Sequence, residues 1–467
     1  MSGPPRCAPS RWGFSANAQD HLVVGGCDVV ELAGRYGTPL HVVDEDGLRR
    51  AAREFRRVFG AALGDVDVFY SYKTNCIPGV LRVLHEEGVG AEAISEYETW
   101  LALRLGLPGG RILLNGVNKP VEGLRLAVTH GLAGIHVDSL EEVPRLAGVL
   151  EAAAGPVRVA VRVATGAGWK AQFGVEIASG EALETYRRLA ALPGVVLAGI
   201  HVHLGTSVES PEVYSRAVAA MMELRGEVAR ATGSVLEYLD LGGGLPVPTV
   251  KEFGLRDSLL HKRLGRPATH PNPRRPGWPE FAAAIAAARE SGARRTGLPE
   301  PRVFFEPGRA LTSQAQVLLL GVGVVKCRDD GSRIAITDGG RSTNAAPLGN
   351  EYHEVLLANR LSAPGAQPHT IVGGLCTPGD WTFVRKDLPL LEPGDLLAVM
   401  DAGAYFTSFS NDFAFPRPGV LLAKGGEARV TRQRESFEYM IGLDEGFGPA
   451  PVSLAAAGAV RGGERAR

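Results

Sequence analysis

The sequence predicts an α/β chain: a (β/α)8 barrel of the TIM type followed by a C-terminal antiparallel β domain. Three observations carry that prediction. Between Val66 and Gly308, short apolar, β-branched runs alternate with amphipathic helical stretches such as PVEGLRLAVTHG and GEALETYRRLAAL, the pattern of parallel βα units. The runs start near 66, 89, 111, 134, 157, 196, 238 and 302, and eight is the number that closes a barrel. From about Leu311 the rhythm changes to short strands parted by Gly, Asp and Pro turns, with few helices. An open doubly wound sheet is the alternative that the same βα rhythm allows.

Taken in order, residues 1–17 are small, Pro- and Gly-rich and aperiodic, and read as a loose N-terminal extension. Residues 18–45 hold two strand-like runs, HLVVGGCDVV and PLHVVDE, that are placed to join the β domain. The barrel is assigned to 46–310. Within it, 246–279 is a basic, proline-rich insertion that reads as a solvated loop, or as a lid facing the substrate. The β domain covers 311–448, and the Ala/Gly-rich 449–467 reads as a disordered tail.

Composition excludes several classes of function. Fifty basic against fifty-one acidic residues leave a net charge of −1, which argues against a nucleic-acid partner or a polybasic membrane contact. No apolar run approaches the ~20 residues that span a bilayer, and the first twenty residues lack the apolar core of a signal peptide. Cys7, Cys27, Cys76, Cys327 and Cys376 are odd in number and without CxxC spacing, so neither a disulfide framework nor a thiolate zinc site is expected. These features fit a cytoplasmic enzyme. The 60 glycines fit an enzyme with many tight loops.

A barrel gathers the C-terminal ends of its strands on one face. Here they carry Lys73, Glu92 and Ser95, Asn115, Asp138, Arg162, His203 and Thr206, Gly242 to Gly244, Glu306 and Arg309. A lone lysine at a strand end ordinarily snorkels to water; the functional reading of Lys73 is a desolvated amine whose lowered pKa lets it form a Schiff base. The Gly242–Gly243–Gly244 run is either a plain turn or a set of bare backbone N–H groups for a phosphate. It lacks the spacing of a dinucleotide fingerprint, and no P-loop occurs. Glu306 reads as half of an ion pair or as the carboxylate that keeps a heteroaromatic nitrogen protonated, beside an arginine, Arg309, free for anions. His201 and His203 share one side of a strand, yet no carboxylate or third histidine is placed to complete a metal site, so none is assigned. A ring stacked on a flat cofactor is the preferred role for His203.

The ordered motifs YSYKTN, GAEAIS, HVHLGTS, DLGGG, EPGRAL, GGLCTPGDW and DAGAYF resemble those of the fold-type III pyridoxal-phosphate decarboxylases, nearest to the diaminopimelate branch, with the ornithine and arginine enzymes further off. The resemblance spans roughly residues 18–445. It implies a barrel plus β domain, pyridoxal 5'-phosphate as cofactor, an amino-acid substrate and a homodimer with shared active sites. On it, Lys73 corresponds to the lysine that carries the cofactor and Glu92 to the acid beside it. His203 matches the ring that stacks on the pyridine, and Glu306 the partner of its nitrogen. Thr206, Gly242, Gly243, Gly244, Gly308, Arg309 and Tyr405 match positions around the phosphate and the substrate carboxylate. Cys376, Thr377 and Asp380 fall in a segment that family members contribute from the partner subunit, with Cys376 the candidate proton donor and Lys73 the other.

Two departures concern the substrate's far end. Diaminopimelate enzymes resemble one another in an arginine and a tyrosine after the DGG turn. Here the stretch is DGGRSTNAAPLGNEYHE, which puts Ala345 or Ala346 at the arginine and Gly349 or Asn350 at the tyrosine. Arg341, Arg309, Lys170 or the 246–279 insertion are the candidate replacements. After Cys376, where the family carries an acid, this chain has Thr377, which cannot make a charge-assisted bond to an ammonium. The resemblance therefore implies decarboxylation of an α-amino acid with a bulkier, neutral or conjugated side chain. The alternatives are a genuine meso-diaminopimelate decarboxylase making L-lysine, an amino-acid racemase, or a non-catalytic binding homologue. Racemases of this plan place an arginine where Glu306 stands, and a binding homologue would lack Lys73, so both are disfavoured.

Overall fold

The computed structural model describes residues 8–168, 172–264, 270–272, 274–344, 347–444 and 446–447. The assigned tail 449–467, and with it Lys170, Ala345 and Ala346, lies outside the described residues.

Strands Val66–Ser71, Gly90–Ala93, Ile112–Leu114, Gly134–Val137, Val157–Ala164, Val195–His201, Tyr238–Asp240 and Arg302–Phe305 pair in parallel in chain order. The last pairs back onto the first, with Val303 opposite Val66, so the sheet closes and the open-sheet alternative falls. Side chains alternate along a strand. Val68 and Tyr70 therefore pack outward under the helices, whereas Phe69 turns inward to a layer with Leu113, Ala160, Ala198, Tyr238 and Phe304. Tyr238 and Phe304 stack with ring centroids 4.1 Å apart, and Gly199 makes room for them: a Cβ there would lie 2.3 Å from the Tyr238 ring. Two residues further along five of these strands the same inward parity brings Ser71, Asn115, Arg162, Asp240 and Glu306 above this apolar plug.

The β domain is organised on strand Gln316–Cys327. It pairs antiparallel with Leu40–Asp44, Arg333–Thr337 and Leu396–Val399. Two pairings are parallel, Leu40–Asp44 with Gly419–Lys424 and Arg333–Thr337 with Gln367–Val372, so the domain is antiparallel-rich rather than wholly antiparallel. Of the two early strand runs only PLHVVDE joins this sheet. Leu22–Val24 and Cys27–Asp28 form a separate small sheet with Ser15–Ala16. Among the described residues no helix is long and apolar enough to cross a membrane.

The extension expected to be loose is anchored from Pro9 to Ala16. Trp12 and Phe14 are buried with Leu22, Val42 and Met400, and the indole Nε1 donates to Asp401 Oδ2 at 2.7 Å. Two aromatic side chains outweigh the ordering cost of a short segment, and a buried indole N–H requires such an acceptor. The insertion is likewise built into the fold. Its Lys251–Glu252 pair antiparallel with Tyr352–Glu351, a helix follows at Leu255–Leu264, and Arg275 meets Glu209 at 2.6 Å.

Candidate active site

Lys73 lies in a short 3-10 turn, Tyr72–Thr74, directly after the first barrel strand. The β domain fixes that turn: Tyr405 N donates to Thr74 O at 2.8 Å, Ser408 Oγ to Thr74 O at 3.0 Å, and Asn75 Nδ2 to Gln316 Oε1 at 2.9 Å. Tyr405 adopts φ 68°, a left-handed conformation that a bulky residue takes only when its surroundings impose it. Here the backbone bond to Thr74 and the ring beside Arg309, 5.3 Å away, do so.

Glu92, fully buried, collects three donors. Ser71 Oγ at 2.5 Å and Lys73 Nζ at 2.8 Å reach Oε2, and Asn115 Nδ2 at 2.8 Å reaches Oε1. The same Asn115 amide donates its second proton to Glu306 Oε1 at 2.7 Å. One side chain thus links the carboxylate beside Lys73 to the carboxylate at the eighth strand end. The Lys73 ammonium is held above its ordinary pKa: burial alone would lower it, but the charges of Glu92 and Glu306 outweigh burial. The lowered pKa expected from desolvation is therefore corrected.

Beneath Glu306 the sequence reading is corrected again. His201 does find a second histidine and a carboxylate: His201 Nε2 is 3.3 Å from Glu306 Oε2, and His136 Nδ1 is 3.8 Å from Oε1, all three residues buried. The missed signal was parity, since His136 stands two residues beyond inward-facing Gly134. Burial drives both imidazoles well below their ordinary pKa, so they are neutral. Burial, with the charge of Glu306, raises Asp240 well above the carboxylate range. His203 is lowered to about 3 by burial and by Lys73, and its Nδ1 accepts Gly243 N–H at 3.1 Å, leaving a neutral ring of fixed orientation.

These groups open on a cavity of about 400 Å³ lined by Lys73, Glu92, Asn115, His203, Thr206, Gly243, Gly244, Glu306, Gly308, Arg309 and Tyr405, with Ile94, Val117, Phe173 and Leu245 as its apolar wall. Gly242 stands behind at φ 62°. A Cβ on Gly243 would lie 2.5 Å from Glu306 O and one on Gly244 2.3 Å from Gly205 O, so bare backbone is required there. Arg309, expected to be free for anions, is not: both arms of its guanidinium are taken by Glu351, at 2.8 and 2.5 Å. Cys376, Thr377 and Asp380 do not line this cavity. Cys376 is exposed, whereas Asp380 is buried and ties its loop to the 338–341 turn, accepting Leu375 N and Arg341 N at 2.7 Å each, so both its oxygens are engaged by backbone. Arg341 lies over Trp381 rather than in the cavity.

An amine set beside a carboxylate, a second carboxylate at the end of the eighth strand, a neutral ring and a glycine cradle define a barrel site suited to a flat heteroaromatic aldehyde bearing an anionic arm. Residues 45–313 match the family model described as the pyridoxal-binding domain of pyridoxal-dependent decarboxylases. The chain is 34% identical over 441 residues to the diaminopimelate decarboxylase of Methanothermobacter thermautotrophicus, covering 92% of this chain and 96% of that one. It is 30% identical over 448 residues to the Bacillus subtilis enzyme of the same name, covering 92% and 97%. The fold superposes on the diaminopimelate decarboxylase of M. jannaschii in complex with L-lysine with a TM-score of 0.82 at 24% identity, covering 92% and 97%. The chain belongs to the pyridoxal-dependent decarboxylase family, of the diaminopimelate decarboxylase type. It is a lyase acting on an amino acid with pyridoxal 5'-phosphate as cofactor.

Proposed function

We propose that this enzyme decarboxylates an α-amino acid whose side chain ends differently from that of diaminopimelate. The observation that carries this reading is Thr377, a neutral residue where an acid would meet the far ammonium, together with the lack of an arginine and a tyrosine over 345–350. When bound, pyridoxal phosphate supplies the electron sink that accepts the bond electrons left by departing CO2. The chain's own residues do the rest. Lys73 Nζ would hold the aldehyde and give way to the substrate amine, and Glu92, 2.8 Å away, would hold a proton at that nitrogen. Glu306, fixed by Asn115, would keep a proton on the ring nitrogen, and the neutral ring of His203 would pack on the cofactor. Gly242 to Gly244, Thr206, Gly308 and Tyr405 would hold the phosphate. Cys376 would return a proton to Cα from the 376–380 loop of a second copy, and the exposure of Cys376 away from its own cavity supports such a homodimer. Loss of activity on dilution, in step with dissociation in the ultracentrifuge, is the expected result; full activity in a monomer would refute the shared site.

Relatives named diaminopimelate decarboxylase along nearly the whole chain support a second reading, that the substrate is meso-diaminopimelate and the product L-lysine. Incubating the cofactor-loaded enzyme with meso-diaminopimelate, L-lysine, L-ornithine, L-arginine and L-glutamate, with CO2 and products read by mass spectrometry, separates the two. Rapid conversion of diaminopimelate to lysine establishes the second. No CO2 from any of the five, with the cofactor's absorbance band present, supports the first.

A further inference from the structure

Arg309 lines the cavity, and its guanidinium makes the two-pronged contact that a ligand carboxylate would make, but with a carboxylate of its own chain. The pair is buried, and Glu351 also lies 3.1 Å from His353 Nε2. The other described arginine on the cavity wall, Arg162, is in the same condition: it meets Asp138 at 3.4 Å and lies over the Phe173 ring at 4.4 Å. The third cation, Lys73, faces Glu92. Every described cation of the wall therefore already has an acid.

Glu351 is held in place by the insertion. The Lys251–Glu252 strand pairs with Glu351 and Tyr352, Phe253 N donates to Asn350 O at 2.7 Å, and Tyr352 OH contacts His270 at 2.8 Å and Lys386 at 2.8 Å. Releasing Arg309 would require this strap to move. Ile94, Val117, Phe173 and Leu245 add apolar side chains to the same wall.

We infer that Glu351 is a specificity-determining residue that occupies Arg309, so that the substrate group meeting this wall is uncharged. The pair is neutral as a unit: it repays neither an anion nor a cation for its lost hydration, whereas an apolar side chain loses little on entering and an amide-ended one enters where it finds hydrogen bonds. The inference rests on the decarboxylase reading and specifies the substrate class within it.

The test uses the cofactor-loaded enzyme and two probes that differ by one carboxylate, meso-diaminopimelate and L-lysine, with dissociation constants taken from the change in cofactor absorbance on rapid mixing. In the unaltered enzyme diaminopimelate is expected to bind no more tightly than lysine. Glu351→Gln should shift the ratio toward diaminopimelate by tenfold or more, because the guanidinium is then open to the extra carboxylate. The double variant Arg309→Gln/Glu351→Gln, which leaves no lone buried charge, should return the ratio to its starting value. A ratio unmoved within twofold in Glu351→Gln, or a gain that persists in the double variant, overturns the inference. An unaltered enzyme that already prefers diaminopimelate tenfold overturns it as well. Absence of any cofactor band with either amine would instead overturn the decarboxylase reading beneath it.

Discussion

Replacing Asn115 with leucine keeps the branching and heavy-atom count of the side chain and removes both of its N–H groups. In the native protein those groups reach Glu92 Oε1 at 2.8 Å and Glu306 Oε1 at 2.7 Å, and all three residues are buried. A hydrogen bond to a charged partner contributes about 1.5–3 kcal/mol, so two of them amount to roughly 3–6 kcal/mol. The two carboxylates would also lose the link that keeps them apart from each other's charge. Asn115→Leu should therefore cost about 3–6 kcal/mol in urea unfolding followed by circular dichroism. It should also weaken retention of pyridoxal phosphate, because Glu306 is no longer fixed. The companion Asn115→Asp adds a third acid, and its deficit should shrink as the pH falls and one carboxyl takes up a proton. A loss under ~1 kcal/mol for Asn115→Leu, with cofactor retention unchanged, would refute the claim that this amide joins the two acids.

Three further changes probe other parts of the molecule. Lys73→Ala should abolish the visible absorbance band of the lysine-bound cofactor while leaving the far-ultraviolet circular dichroism intact; a persisting band would remove Lys73 from its assigned role. Glu98, whose Oε2 accepts Ile94 N at 2.8 Å, is pushed up from 4.5 to about 7 by burial and by Glu92. Between those values the folded chain binds the proton that the unfolded chain releases, so this group's contribution to stability is lost as the pH rises through the window, about 3 kcal/mol across it. Glu98→Gln should flatten that part of the stability profile, and an unaltered slope would count against it. Trp12→Ala removes the indole and leaves Asp401 short of a donor, for an expected cost of about 3–5 kcal/mol; a shift in melting temperature under a degree would return the segment to the loose extension that its composition implies.

Much of the barrel was legible because its information is local. A strand run followed by an amphipathic helix states its own neighbours, and eight such units in order leave closure as the economical arrangement. The strand-end residues followed, since parallel strands in a barrel present their C-terminal ends together, and Lys73, Glu92, His203, Thr206 and Glu306 do share one cavity. Composition misled at the N-terminus because Pro and Gly mark turns, while the decisive residues there are one tryptophan and one phenylalanine whose partners include Met400 and Asp401, hundreds of positions away.

What the sequence hid was pairing. Arg309 and Glu351 are separated by 42 positions and belong to different domains, so no spacing rule joins them. The Asn115 bridge likewise spans 191 positions to Glu306. Such contacts decide the chemistry more than the residues' identities do: an arginine in EPGRAL reads as an anion site until an acid is found seated on it. The 246–279 insertion shows the same logic at the scale of a segment. Its polar, proline-rich composition gives no hint of a partner, yet two residues of it add a strand to Glu351 and Tyr352. That short ladder fixes where the Glu351 carboxylate points, and with it the charge that the cavity wall offers to a substrate.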